Sequence, residues 1–275
     1  MTDRITLRAE AAEVILDPDA GGRIASLRVD RLELLVTEGW GPVAWGCYPM
    51  VPWAGRIRDG VLRWRGEEHR LPTDLLPPHA IHGTLLEACW EVVEAGPAGL
   101  TLAADLGSQW PFGGRAVERV TLGPDSLRAE LEVHAAARPM PVIVGWHPWF
   151  GRVLRDPAGA AVGQPVVVDL DAGGMLTRGV DGIPTGEVVR PVPPAPWDDC
   201  FIDVAGSPGV HWPGALEVRI ESDAPFWVVY TEHEEGVCVE PQTGPPNGLN
   251  TGEHALVAPG TPLVASMTMR WRRLG

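Results

Sequence analysis

Two titratable residues occupy equivalent places in two apolar segments of the chain. Glu240 follows the apolar run 237–239, His147 follows the run 142–146, and each is followed directly by a proline. Proline offers no N–H to a β-ladder and pushes the preceding residue into an extended conformation, so we expect both residues at strand ends. A carboxylate and an imidazole brought to one place can act as general base and general acid.

Each residue also has a purely structural interpretation. Glu240 could be the polar residue that closes a strand. His147, which lies between Trp146 and Trp149 in the sequence, could be a histidine packed in an aromatic layer. These two segments alone do not decide between chemistry and packing.

Three loop segments are more polar than a simple connection requires, and they contain Arg56, His82 and Asp198. Taken alone, each has an ordinary explanation, because arginines are commonly solvated and aspartates favour turns. The Glu-His-Glu-Glu cluster at 232–235 fits an exposed hairpin tip, since its spacing matches no familiar set of metal ligands. We therefore expect no metal site.

Composition excludes several classes of function. The net charge is −14, which argues against a nucleic-acid partner, because binding to a phosphate backbone depends on Lys and Arg. All 22 basic residues are arginine, and the chain has no lysine. Schiff-base aldolases, pyridoxal enzymes and P-loop nucleotide hydrolases, which need a lysine of their own, are thereby excluded.

The sequence gives no indication of a membrane or of secretion. No run approaches the ~18 apolar residues of a membrane-spanning helix, and the first residues contain no apolar segment typical of a signal peptide. The four cysteines are scattered, with no Cys-x-x-Cys pair, which favours free thiols of a reducing compartment over a disulfide or zinc framework. We expect a cytoplasmic protein.

Short strand-like segments separated by turns make up most of the chain, and no window gives a convincing helical period with caps. The 33 glycines and 28 prolines fall between these segments rather than in one linker. This pattern predicts one all-β sandwich over residues 1–275. Segment 40–53, rich in Gly, Pro and Trp, is predicted as a long loop. The predicted strands are 5–9, 12–17, 22–29, 32–36, 61–65, 69–71, 89–94, 100–106, 116–122, 127–134, 142–147, 166–170, 216–221, 226–231, 237–240 and 263–271.

Five motifs, in this order, resemble the aldose 1-epimerase (galactose mutarotase) family. They are Arg-Ile-x-x-Gly at 56–60, His-Gly at 82–83, His-Pro-aromatic-Phe at 147–150, Asp-x-x-Phe at 198–201 and Glu-Pro-Gln-Thr at 240–243, with a later Pro-Gly-Thr-Pro at 259–262. No single motif is specific, but their order and spacing together are. The resemblance spans essentially the whole chain.

The resemblance implies a large single-domain antiparallel β-sandwich of the galactose mutarotase type, with a sugar cleft across one sheet and no cofactor. It also implies an enzyme that interconverts the α and β anomers of a free aldohexose. In that reaction Glu240 would be the base and His147 the acid, while Arg56, His82 and Asp198 would hold sugar hydroxyls and the ring oxygen. A neighbouring aspartate would favour the charged imidazolium of the histidine.

One departure from the family concerns the sugar. The family commonly has Asn immediately before the arginine, where this chain has Gly55. The loss of a possible hydroxyl contact leaves the identity of the aldose open. A sugar phosphate also stays open, since loop arginines such as Arg58, Arg115 or Arg152 could form a phosphate clamp. The sequence says nothing about the oligomeric state.

Two alternatives from other classes remain. A glycoside hydrolase or lyase could use Glu240 and Asp198 as a carboxylate pair, about 5–5.5 Å or 6.5–9.5 Å apart across a glycosidic bond. A non-catalytic carbohydrate-binding sandwich would keep the arginine and aromatic residues but would not need a converging acid and base. For the epimerase, we expect Glu240 and His147 within reach of one pyranose, and Arg56 less exposed than a typical surface arginine.

Overall fold

Antiparallel strands dominate the computed structural model, which describes residues 3–274. The larger of its two main sheets has eleven strands. In spatial order they are Ile5–Ala9, Ala12–Asp17, Arg23–Val29, Cys47–Met50, Gly145–Gly151, Gly236–Gln242, Phe226–Tyr230, Asp198–Val204, Ala172–Arg178 and Pro184–Val189, with Leu32–Glu33 paired to Arg23–Val29. The segments of His147 and Glu240 are therefore neighbours at the middle of this sheet.

The second main sheet has eight strands. In spatial order they are Glu91–Ala95, Gly99–Asp105, Arg115–Leu122, Ser126–His134, Leu263–Arg273, Leu216–Ser222, Gly209–Trp212 and Val167–Asp169. Along Arg115–Leu122 buried residues alternate with more exposed ones, so one face of this sheet is covered by protein. An extensive apolar core contains buried residues from both main sheets.

Small elements complete the fold. Four two-stranded ladders pair Met140–Val142 with Ala255–Val257, Leu154–Arg155 with Ala161–Val162, Arg56–Ile57 with Ala80–Ile81, and Val61–Trp64 with Glu67–Arg70. Pro18–Ala20 and Arg58–Gly60 are 3₁₀ turns, and Gly248–Thr251 is a single α-helical turn. Within residues 3–274, no helix has the length and apolar character needed to cross a bilayer.

The all-β prediction is confirmed, but the segment 40–53 is not wholly a loop. Cys47–Met50 is a strand between Arg23–Val29 and Gly145–Gly151. All four of its residues are buried, so the alternation that marks a half-exposed strand is absent. The strands Ala172–Arg178, Pro184–Val189, Asp198–Val204 and Gly209–Trp212 also lie outside the predicted set.

The expectation that His147 and Glu240 end their strands is wrong. Gly145–Gly151 continues beyond His147, and Gly236–Gln242 continues beyond Glu240. The ladder pairs Gly145 with Gln242 and Trp149 with Cys238; no pair between them is formed in the described part of the chain. A proline removes its own N–H but leaves its carbonyl and extended backbone, so the ladder is interrupted without the strand ending.

The register of those two pairs places His147 directly opposite Glu240 on the neighbouring strand. Directly opposed residues share a face of the sheet, so the two side chains point the same way. Trp146 must point to the other face by the period of two. Its indole Nε1 donates to Glu118 Oε1 at 3.0 Å, which joins the eleven-stranded sheet to the eight-stranded one.

Glu118 should make stability depend on pH. It is 1% exposed, and its burial raises its pKa to about 8, with the hydrogen bond from Trp146 opposing. The folded protein then keeps a proton that the unfolded chain releases near its ordinary pKa. This stabilisation is complete below that value and is lost as the pH rises through about 8.

Glu118→Gln, which does not titrate, should lack this dependence. Between about pH 6 and pH 9 the wild type should lose roughly 2–3 kcal/mol more unfolding free energy than the variant. Urea unfolding of both proteins at the two pH values measures the difference. Parallel losses in the two proteins would show that Glu118 does not hold its proton in the core.

Candidate active site

A cleft of about 220 Å³ opens on the face of the eleven-stranded sheet that carries His147 and Glu240. Its lining includes all five residues singled out from the sequence, namely Arg56, His82, His147, Asp198 and Glu240. Small-molecule pockets of ~300–1,000 Å³ accommodate drug-sized ligands, so a cleft of this size suits a smaller molecule such as one sugar ring. The strands of the large sheet supply its floor, and the segments that carry Arg56 and His82 supply a wall.

A larger depression of about 1,070 Å³ lies elsewhere on the surface. Its lining is rich in charged residues, and Glu13 there forms partly exposed ion pairs with both Arg8 and Arg28. Exposed pairs of this kind are common on protein surfaces. The small cleft is the place where buried titratable groups converge.

His147 and Glu240 are in direct contact on the cleft floor. His147 Nε2 lies 3.3 Å from Glu240 Oε1, and both side chains are almost completely buried. The imidazole stacks between Tyr48 and Trp149, with ring centroids 4.9 Å and 5.4 Å away. Gln242 Nε2 donates to Glu240 Oε2 at 3.1 Å. Packing and hydrogen bonding therefore hold both reactive groups in fixed orientations.

Burial moves the two pKa values in opposite directions. It lowers the pKa of His147 to about 3. It raises the pKa of Glu240 well above its usual range; the charge of Asp198 raises it further, while Gln242 and Arg56 oppose. Both shifts favour the neutral forms, a protonated carboxyl beside a neutral imidazole. The expectation that a neighbouring aspartate would favour the imidazolium is wrong, because desolvation is the largest effect on the pKa of His147.

Arg56 stands on the short strand Arg56–Ile57, which pairs with Ala80–Ile81. Its side chain is 25% exposed; Nη1 donates to the carbonyl of Gly182 at 3.0 Å, and Nη2 lies 3.7 Å from Asp198 Oδ2. Asp198 also forms an ion pair with Arg178. The guanidinium is thus fixed at the cleft wall with a carboxylate beside it, a combination suited to polar ligands.

Gly55 has a positive φ of 68°, which favours glycine. A Cβ atom there would lie 2.9 Å from the ring of Pro246. An asparagine at this position would therefore need a shift of the Pro246 loop in addition to a strained backbone. The close approach of the two loops therefore favours glycine at this position.

His82 is buried and lies edge-on to His147, with ring centroids 5.0 Å apart. Burial lowers its pKa well below the ordinary value, and His147 and Arg56 lower it further. Its Nδ1 is buried without a hydrogen-bond partner among the described residues. A neutral histidine in this place can offer a hydrogen bond to a ligand in the cleft.

Several cleft residues were not predicted from the sequence. They are the aromatic residues Tyr48 and Tyr230 and the polar residues Gln242 and Glu232, all of which line the cleft or contact the pair. Gln242 could have been found, because it lies two positions after Glu240 on the same strand face. Tyr230 reaches the site only through the pairing of its strand with Gly236–Gln242, which local sequence does not encode.

Cys238 lies with His147 and Glu240 in a group that could hold a metal ion. Single ligand atoms of His147, Cys238 and Glu240 lie within 4.8 Å of one another. Burial raises the pKa of the Cys238 thiol well above its usual range, however, so the thiolate that a metal ion requires is disfavoured.

Solved structures share this fold. A putative aldose 1-epimerase from Escherichia coli K12 superimposes with a TM-score of 0.85 at 22% identity and covers 99% of both chains. A galactose mutarotase-like protein from Clostridium acetobutylicum gives a TM-score of 0.84 at 17% identity, covering 98% of this chain and 95% of its own. A galactose 1-epimerase from Lactobacillus acidophilus gives 0.77 at 15% identity, covering 99% and 95%.

Sequence comparisons identify relatives and a family. The uncharacterised E. coli protein YihR is 27% identical over 226 residues, which are 74% of this chain and 71% of YihR. The uncharacterised E. coli protein YphB is 30% identical over 136 residues, 48% of this chain and 47% of YphB. A profile of the aldose 1-epimerase family matches residues 3–196. The chain therefore belongs to the aldose 1-epimerase family.

Proposed function

We propose that this protein is an aldose 1-epimerase that interconverts the α and β anomers of a free aldohexose by acid–base ring opening and closure. The observation that carries the proposal is the contact of 3.3 Å between His147 Nε2 and Glu240 Oε1 on the floor of a cleft the size of one sugar. The reaction needs one group that accepts a proton and one that donates a proton, both within reach of the anomeric centre.

The pair holds one proton in total. The raised pKa of Glu240 and the lowered pKa of His147 favour the proton on Glu240. Its transfer to His147 gives a carboxylate beside an imidazolium without any exchange with solvent. The apparent pKa values of two groups in such close contact are properties of the pair and not of either residue alone. In this charged form the Glu240 carboxylate is the base and the His147 imidazolium is the acid that anomer exchange requires. Polar groups of a bound sugar stabilise the two charges against the cost of burial.

The chemistry then balances within the pair. Glu240 takes the proton of the C1 hydroxyl while His147 gives its proton to the ring oxygen, and the bond from C1 to the ring oxygen breaks. Rotation about C1–C2 presents the other face of the aldehyde. Closure reverses both transfers and returns the pair to its starting state. No net proton, electron or co-reactant is consumed, so no cofactor is required.

The remaining cleft residues suit sugar binding. Arg56 and Asp198 offer charged donors and acceptors to hydroxyl groups, and His82 offers a neutral imidazole. The aromatic ring faces of Trp149 and Tyr230 line the cleft and can pack against C–H groups. We also propose that residues 1–275 form one domain and that the protein is cytoplasmic, the latter because its four cysteines are free.

Polarimetry of freshly dissolved α-glucose and α-galactose tests the function. The protein should accelerate the approach to the equilibrium rotation at least for one of the two sugars, and it should release no aglycone from nitrophenyl glycosides. Aglycone release without anomer exchange would favour the hydrolase alternative. Binding of a sugar without either activity would favour the carbohydrate-binding alternative.

Near-isosteric substitutions of His147 and Glu240 should lower the rate of the chemical step and leave sugar binding nearly unchanged. Glu240→Gln and His147→Asn are each expected to lower kcat by about 10²–10⁴, because each removes one proton transfer, while KM moves less than about threefold. The measurement is polarimetry together with a thermal melt. Glu253→Gln and His211→Asn, which lie outside the cleft, should keep normal turnover. Near-normal turnover of folded Glu240→Gln would refute its role as the base.

Changes in the cleft wall should act on binding. Arg56→Ala and Asp198→Asn are expected to raise KM by about 10-fold or more, because hydrogen bonds to charged groups contribute roughly 1.5–3 kcal/mol in ground and transition states alike. Initial rates over a range of sugar concentrations measure KM and kcat separately. Arg119→Ala, on the exposed surface of the other sheet, is the matched control. Unchanged KM in both cleft variants would remove these residues from the binding site.

The pH profile should reveal the lowered pKa of His147. The pair stays singly protonated until it takes up a second proton, which the lowered pKa of His147 moves far below the usual histidine range. The value of kcat/KM should therefore stay level from about pH 7 down to about pH 5 after subtraction of the spontaneous reaction. An acid limb near the ordinary histidine pKa would contradict the buried neutral state.

A further inference from the structure

Glu118 is a carboxylic acid in the core between the two sheets. It lies on the strand Arg115–Leu122 and is 1% exposed. The other inward residues of this strand are Ala116, Val120 and Leu122. A buried carboxyl destabilises the folded state unless it is hydrogen-bonded, and an apolar residue would fit the pattern of the strand better. Its presence there calls for a role.

The one hydrogen bond described for the Glu118 side chain leads toward the active site. Its Oε1 accepts the bond of 3.0 Å from the indole of Trp146, and Oε2 is buried without a partner among the described residues. Trp146 directly precedes His147 and is itself 1% exposed. The bond therefore reaches from the eight-stranded sheet to the backbone that carries the catalytic imidazole.

That backbone lacks support on one side. Between Gly145 and Trp149 the strand forms no ladder pair with the strand of Glu240 in the described part of the chain, and it is paired only with Cys47–Met50 on the other side. His147 and Glu240 therefore face each other at the place where the ladder pairs between their two strands are missing. An error of about 1 Å in such a distance can lower a rate by roughly 10²-fold.

We propose that Glu118 is a positioning residue: by accepting the indole hydrogen bond of Trp146 it fixes the strand of His147 and so holds the imidazole at proton-transfer distance from Glu240. The proposal rests on the proposed function of the pair. Glu118 acts through Trp146 and contacts neither the sugar nor the reacting atoms. Burial raises the pKa of Glu118 to about 8, which favours the neutral carboxyl in the core near neutral pH.

Two substitutions at Glu118 separate hydrogen bonding from packing. Glu118→Gln keeps an oxygen that accepts from the indole, and it should keep kcat within about twofold of the wild type. Glu118→Leu keeps the volume but removes the acceptor, and kcat should fall by about 10–100-fold with KM changed less than twofold. Glu217→Leu removes another buried glutamate of the same sheet, one paired with Arg219 and Arg272, and should leave kcat unchanged.

A double-mutant cycle tests whether the effect passes through Trp146. Trp146→Phe removes the donor but keeps an aromatic ring, and it should lower kcat as Glu118→Leu does. In the Trp146→Phe background, Glu118→Leu should cause no further loss. If Glu118→Leu does not fold, Trp146→Phe against the wild type decides in its place. Losses that multiply in the cycle, or folded variants with wild-type kcat, would overturn the proposal.

A spectroscopic measurement keeps this test independent of the enzymatic function. In ¹⁵N-histidine-labelled protein, the ring nitrogen signals of His147, assigned by their loss in His147→Asn, should shift in Glu118→Leu and Trp146→Phe but not in Glu118→Gln or Glu217→Leu. Unshifted signals in both of the first two variants would refute positioning. Absence of anomer exchange in the wild type, with these shifts present, would refute the proposed function alone.

Discussion

The structure of the cleft depends on the burial of a carboxyl and an imidazole, 3.3 Å apart, in the middle of an eleven-stranded sheet. Desolvation makes the charged forms of both groups costly and so favours a neutral carboxyl beside a neutral imidazole. In the mechanism we propose, one proton moves between the two groups rather than to solvent. Tyr48 and Trp149 stack on the imidazole, and Gln242 donates a hydrogen bond to the Glu240 carboxyl, so these contacts hold the two groups in place.

The prolines after His147 and Glu240 have a clear place in this arrangement. They interrupt the ladder between two central strands at the position where the side chains of those strands must meet, and they leave both strands extended. The interruption removes backbone hydrogen bonds from the same stretch, so positional support must come from elsewhere. The neighbouring strand Cys47–Met50 supplies part of it, and the indole bond from Trp146 to Glu118 in the opposite sheet supplies a direct link to the core.

The fold class, the family and a set of five residues that share one cleft could be predicted from the sequence, because turns, proline-marked segments and motif order are local features. The interior strand Cys47–Met50 could not, since its fully buried residues lack alternation and its Gly- and Trp-rich surroundings are typical of a loop. The cleft position of Tyr230 depends on strand pairing over long range. The lowered pKa of His147 could not be predicted either, because it results from burial, which the presence of an aspartate in a motif does not reveal.

The central claim is that Glu240 and His147 act as one unit with a single shared proton. The most direct test is the kcat of the double variant Glu240→Gln/His147→Asn, compared with both single variants by polarimetry. Groups that work as a unit show strongly non-additive losses, so the double variant should be no more than about threefold slower than the slower single variant. A loss equal to the product of the two single losses would show that the residues act independently and would contradict this account.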